Sequence, residues 1–171
     1  MEYRARVGSD DAKAGNINAT LPEIDASFVA GVLDDLTACG VAPDRLTLEI
    51  TERVAFHTID PGIELIDELS SHGIHIAVDD FGTGFTSLTQ LRTLPLARIK
   101  IDRSFLADVV GENAGRVRPL VAGIVQIGRL LDLEVLTEGI ETQEQLDAVR
   151  ELGADLAQGH LFSLATFQTR A

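Results

Sequence analysis

Ile74-His75-Ile76-Ala77-Val78-Asp79-Asp80-Phe81-Gly82-Thr83-Gly84-Phe85 is the stretch on which the fold turns. An apolar run ends in two adjacent carboxylates, and a loop with glycine at 82 and 84 follows. The run reads as a strand buried on both faces, as in a parallel sheet. Side chains alternate along a strand, so Asp79 and Asp80 aim to opposite sides unless the strand is ending there. Unpaired buried carboxylates are costly. Two acids at a strand exit therefore fit a metal site on the loop face of an α/β fold. The plainer reading is an Asp that caps the next helix.

Outward from this stretch, strands and helices alternate. Before it, Asn16 to Leu21 reads as a short strand. Asp25 caps a helix with Phe28, Val29, Val32, Leu33 and Leu36 on one face, and Gly40 stops it. Leu46 to Glu52 is a strand. Asp60 and Pro61 open a helix with Ile63, Ile66 and Leu69 inward, closed by Gly73. After it come a strand from Arg98 to Asp102, a helix from about Arg116 to Leu131, and a strand from Glu134 to Gly139. Thr142 and Gln145 form a capping box for a helix with Leu146, Val149 and Leu152, ended by Gly153. The last strand lies near Asp155 to Phe162. Six strands alternating with helices imply parallel pairing through helical crossovers, in an open doubly wound sheet or a (β/α) barrel.

The chain has 171 residues and 45% apolar content, enough for one domain with a real core. Lys plus Arg is 14 and Asp plus Glu is 27, a net charge of −13. That balance argues against binding a nucleic-acid polymer, and an anionic substrate would need cations at the site. Cys39 is the single cysteine, so no intrachain disulfide forms; it is expected to be a packed small residue at a helix end. No signal-peptide pattern is present, and a reducing cytoplasm is the expected location. No apolar stretch reaches the roughly 20 residues of a membrane helix.

Asn18, Glu49, Asp79, Lys100, Glu138 and Gln158 each sit in or at the C-terminal end of their own strand. They lie roughly 20–40 residues apart, about one βα unit each. In a barrel, such strand ends converge on one face. Carboxylates and an amide oxygen are hard donors, suited to Mg²⁺ or Mn²⁺. Asp79 and Asp80 together can bridge two ions or divide between them, and two ions clamp the attacking and leaving oxygens of a phosphodiester. Lys100 adds fixed positive charge or positions a water, and Glu138 can take a proton from the attacking water. Plainer readings stand beside these. Glu49 and Glu52 can be an exposed strand end, Lys100 a partner of Asp102, and Gln158-Gly159 a simple turn. His57, His72, His75 and His160 share no spacing and are not read as ligands.

Five motifs occur in order: Leu48-Glu49-Ile50-Thr51-Glu52, Asp79-Asp80-Phe81-Gly82-Thr83-Gly84-Phe85, Lys100-Ile101-Asp102-Arg103-Ser104-Phe105, Glu138-Gly139-Ile140-Glu141-Thr142 and Gln158-Gly159. From about Asn16 to Ser163 the chain resembles the EAL-domain family of cyclic di-GMP phosphodiesterases. The resemblance implies a modified TIM barrel and Mg²⁺- or Mn²⁺-dependent hydrolysis of cyclic di-GMP to linear pGpG. It implies that Asn18, in Asn18-Ala19-Thr20 where the family has Asn-x-Ser, joins Glu49 and Asp79 as ligands of one metal, with Asp80 on a second. Lys100 would orient the nucleophilic water, and Glu138 would be the catalytic glutamate. Glu52 would hold the loop after Asp79-Asp80, which in the family is also a dimer contact. Asp102, Glu141 and Gln158 match site residues of lesser role.

The departures shape the remaining expectations. The signature Glu-Ala-Leu, whose Glu is a metal ligand in the family, is absent, and Glu2 stands too close to Asn18 to replace it. Smaller departures are Thr86, Thr137 and Leu164-Ala165. A TIM barrel typically takes about 250 residues. The expected fold is therefore α/β, an incomplete TIM-type (β/α) barrel of about six strands, with residues 1–15 a flexible lead-in and 16–171 a truncated EAL domain. Open strand edges and one missing ligand predict weak stability and little turnover by the chain alone. Pairing as a homodimer, or with a separate N-terminal segment, would cover the edges. The alternative is a non-catalytic module that binds cyclic di-GMP or a protein.

Overall fold

The computed structural model describes residues 15–19, 25–52, 62–84 and 91–162. The strands are β1 (Gly15–Ala19), β2 (Leu46–Thr51), β3 (His75–Phe81), β4 (Arg98–Ile101), β5 (Glu134–Glu138) and β6 (Leu156–Gln158). The helices are α1 (Ala26–Cys39), α2 (Gly62–Ser71), α3 (Arg103–Ala107), α4 (Ala114–Leu130) and α5 (Gln143–Leu152). Strand order in the sheet is β1-β2-β3-β4-β5-β6. The β1–β2, β4–β5 and β5–β6 pairs are parallel, as helical crossovers require. Two compact units divide within β3: Met1–Val78 with Gly84–Leu96, and Asp79–Thr83 with Ala97–Ala171.

In the first unit, the Asp25 carboxylate accepts the Phe28 N–H at 2.8 Å and starts α1. Gly40 ends it in the left-handed conformation, its N–H directed to the Leu36 and Thr37 carbonyls. Val29 and Val32 of α1, Ile66 and Leu69 of α2, and Leu46, Leu48 and Ile50 of β2 are buried. Thr47 and Glu49 between them are buried too, so β2 is covered on both faces. The apolar run of β3 is deeper still: Ile76, Ala77 and Val78 have no exposed surface. Cys39 departs from expectation. It is exposed on the last turn of α1 rather than packed. The expected opening of α2 at Asp60 and Pro61 lies outside the described residues, as does the lead-in before Gly15.

In the second unit, Ile99 and Ile101 of β4, Val135 and Leu136 of β5, and Leu156 of β6 are buried. Helix α4 packs on β4 and β5 with Val121, Ile124 and Val125 buried, and α5 packs on α4 with Leu146 and Val149 buried. Strand starts are tied by side chains. Arg98 Nε lies 2.8 Å from Glu134 Oε2, and Asp155 Oδ2 accepts the Val135 N–H at 3.0 Å. Three details differ from the sequence reading. Helix α4 starts at Ala114. Strand β6 is only Leu156–Gln158, because the chain turns into a 3-10 helix at His160–Phe162. The five-residue helix α3 was not anticipated. Among the described residues, no helix is long and apolar enough to cross a membrane.

Candidate active site

The parallel register of β1 and β2 pairs Asn18 with Glu49 at the C-terminal ends of the two strands. Glu49 is buried, and so is Glu52 immediately after the strand, which removes the exposed-strand-end reading. Glu52 Oε2 accepts the Gly84 N–H at 3.0 Å, so a buried carboxylate holds the loop that follows β3. A Cβ at residue 84 would stand 3.1 Å from the Glu52 carboxyl carbon. Glycine permits this approach.

Asp79 and Glu138 meet at Lys100. Its side chain is 5% exposed, and its Nζ lies 3.0 Å from Asp79 Oδ1 and 2.8 Å from Glu138 Oε1. A buried ammonium is tolerated because two carboxylates flank it. These partners replace the plainer reading of a Lys100–Asp102 pair. Asp102 instead caps α3, its Oδ1 accepting the Ser104 N–H at 2.9 Å.

Asp79 and Asp80 do not simply alternate. Asp80 is in the left-handed region with φ 55°, and its N–H donates to Asp79 Oδ1 at 3.0 Å. Asp is among the few non-glycine residues that accept this conformation. Thr83 closes the turn, its Oγ1 donating to the Asp80 carbonyl at 2.8 Å. Gly82 follows with φ 95°, and a Cβ there would meet the Phe105 ring at 2.8 Å. Burial pushes the Asp80 carboxyl above its ordinary pKa, and the charges of Asp79 and Asp102 push the same way against Lys100. Burial acts upward on Asp102 as well. Hydrogen bonds from Ser104, Arg103 and Asp80 outweigh it and hold Asp102 below its usual value.

Glu138 and Gln158 are register partners at the ends of β5 and β6. Gln158 lies in the strand, not in a plain turn, and its Oε1 is a buried acceptor with no hydrogen-bond partner among the described residues. Beyond β5, Gly139 packs against Arg103 and the Ile140 N–H donates to the Gln158 carbonyl at 3.0 Å. The exposed Glu141 is anchored by its backbone, its N–H on Gln145 Oε1 at 2.8 Å. Among the described residues, no three His, Cys, Asp or Glu side chains form a ready metal cluster. The donors nevertheless fit a hard divalent cation: carboxylates surround Asp80, and a buried amide oxygen at Gln158 is unspent. Sequence reasoning passed over Phe105 and the long-range bond of Gln145. The only available signals were a possible Asp102 cap and the choice of Gln over Glu at residue 145.

Parallel strands that end in acids around a buried lysine define an α/β protein with its polar groups at the C-terminal strand ends. The EAL domain family model matches residues 4–165, and the chain belongs to that family. It is 41% identical over 138 residues to the cyclic di-GMP phosphodiesterase NbdA of Pseudomonas aeruginosa, covering 81% of this chain and 17% of that protein. It is 42% identical over 137 residues to the uncharacterized protein y4lL of Sinorhizobium fredii, covering 80% of this chain and 16% of that one. The chain thus spans about a sixth of the length of these curated relatives. Among solved structures, the PaMucR phosphodiesterase in complex with c-di-GMP superposes with a TM-score of 0.81 at 33% identity, over 87% of this chain and 60% of that one. Klebsiella pneumoniae BlrP1 in a manganese/cy-diGMP complex matches with a TM-score of 0.79 at 30% identity, over 89% of this chain and 39% of that one. The fold is accordingly α/β with parallel strands, consistent with part of a TIM-type barrel.

Proposed function

We propose that this chain forms the catalytic face of a divalent-metal-dependent cyclic di-GMP phosphodiesterase that yields linear pGpG. The observation that carries this reading is Lys100, buried with its ammonium between Asp79 and Glu138. On a chain of net charge −13, an anionic phosphodiester needs a fixed cation, and Lys100 is one at the acid cluster. Asn18, Glu49 and Asp79 would hold one cation and Asp80 a second. Such cations, when bound, polarise the phosphodiester and favour ionisation of water. Lys100 orients the attacking water, and Glu138 takes its proton. Glu52 keeps the loop after β3 in place through Gly84. Asp102, Glu141 and Gln158 support the rim.

A second reading is binding of cyclic di-GMP without turnover. The sequence favours it in one respect: it has no Glu-Ala-Leu, and so lacks one carboxylate donor of the family pattern. Turnover by the chain alone is therefore proposed to be weak. Purified chain is assayed with cyclic di-GMP and Mn²⁺ for pGpG, beside calorimetry in Ca²⁺. Product formation abolished by Lys100→Met supports the phosphodiesterase. Binding in Ca²⁺ with no product in Mn²⁺ supports the second reading, and neither binding nor product removes both.

A further inference from the structure

Gln145 does more than cap a helix. It is 8% exposed, and its side chain makes three hydrogen bonds. Oε1 accepts the Thr142 N–H at 3.1 Å, which together with the Gln145 N–H on Thr142 Oγ1 completes a capping box. Oε1 also accepts the Glu141 N–H at 2.8 Å, one residue before the helix cap. Nε2 donates to the Leu106 carbonyl at 2.9 Å, 39 residues away on α3. A capping box accepts Glu or Gln alike. Only Gln can also donate, so the Leu106 carbonyl decides which of the two belongs here.

Helix α3 is in turn placed against both loops that carry acids. Its Phe105 ring lies against Gly82, two residues past Asp80. Its Arg103 lies against Gly139, one residue past Glu138. Its cap residue Asp102 starts the helix, its Oδ1 accepting the Ser104 N–H at 2.9 Å. The amide of Gln145 therefore fixes the loop after β5 to the same short helix that supports the loop after β3.

We infer that Gln145 is a positioning residue that sets the spacing of Glu138 and Glu141 from Asp79 and Asp80 by locking the β5 loop onto α3. This rests on the phosphodiesterase reading for its kinetic consequence, but its structural consequence stands apart. An error of about 1 Å in such spacing is enough to slow turnover up to a hundredfold.

The full chain is compared with Gln145→Glu, Gln145→Leu and, as a capping control, Thr142→Ala. Gln145→Glu keeps both acceptor bonds and loses the donor to Leu106. It should leave amide exchange at Glu141 and Thr142 unchanged, raise exchange at Ser104 and Phe105 about tenfold, and lower kcat about tenfold with KM nearly constant. Gln145→Leu should raise exchange at all four amides and lower kcat further. Thr142→Ala should lower Tm without the kcat loss. The inference is overturned if Gln145→Glu leaves exchange on α3 unchanged, or if kcat falls only in proportion to Tm across the three variants. Should the wild-type chain not turn over at all, the proposed function fails, and the exchange pattern of Gln145→Glu still decides this inference; it also serves if Gln145→Leu does not fold.

Discussion

Lys100 Nζ stands 2.8 Å from Glu138 Oε1, although Lys100 is the register partner of Leu136, two residues earlier on β5. The lysine stem therefore runs forward along the sheet, toward the C-terminal strand ends. There its ammonium meets Asp79 and Glu138, which are 17% and 23% exposed. The charge is buried, and its partners still reach water.

This asymmetry predicts how Lys100→Met behaves. Methionine fills the stem without the charge. The two carboxylates left behind remain hydrated in part, so the loss of stability should be only about 1–3 kcal/mol. With Lys100 in its proposed role of orienting the attacking water, its loss should cost about a hundredfold or more in kcat. Thermal melts beside turnover separate the two effects, and a variant with wild-type kcat would remove Lys100 from the chemistry.

Glu52 and Gly84 give a second expectation. Glu52→Ala takes away the acceptor of the Gly84 N–H, so that amide should exchange at least about tenfold faster. Gly84→Ala tests the same contact from the other side, since its Cβ would stand 3.1 Å from the Glu52 carboxyl. The carboxyl must shift by a few tenths of an ångström. Its effect on kcat should have the sign of Glu52→Ala and be smaller. Exchange at Gly84 identical in wild type and Glu52→Ala would show that the bond does not hold the loop.

Asp25 predicts a pH dependence. The hydrogen bond from the Ser27 hydroxyl, then the one from the Phe28 N–H, holds its carboxyl below 3.8 in the folded chain. A depressed folded value means that the unfolded state binds the proton first. The contribution to stability is therefore complete above 3.8 and is lost as pH falls through the folded value. Asn still caps but does not titrate. The stability gap between wild type and Asp25→Asn should shrink as pH drops below 3.8 in chemical-denaturation series, and a gap that widens there would contradict the assignment.

What could be read from the sequence follows from how local each signal is. The buried β3 run, the cap at Asp25, the Gly40 stop and the Thr142–Gln145 box are each written within a few residues, and they stand as read. The Lys100 partners are not local. Asp102 is two residues away and was the natural candidate, but it spends its carboxylate on the start of α3. Helix α3 itself, at five residues, is too short to show a 3.6-residue period. The left-handed turn at Asp80 carries no sequence mark beyond an Asp two residues before a glycine. The reach of Gln145 to Leu106 depends on how α5 packs, which no single segment encodes.

The last expectation concerns metal binding, read by stability alone. Mn²⁺ that binds only the folded chain should stabilise it by about 2.7 kcal/mol at a hundred times its Kd. For a domain of this size that is a rise in Tm of about 5–10 °C. Asp79→Asn should abolish most of the rise, because it takes the negative charge from a carboxylate proposed to hold the first cation and leaves the fold's apolar contacts intact. Lys100→Met should enlarge the rise at a given Mn²⁺ concentration: the ammonium that now neutralises Asp79 and Glu138 repels a cation at the same carboxylates. Differential scanning fluorimetry over a Mn²⁺ series, with Ca²⁺ in parallel, measures both. Equal shifts in wild type and Asp79→Asn would place the bound ion away from these residues.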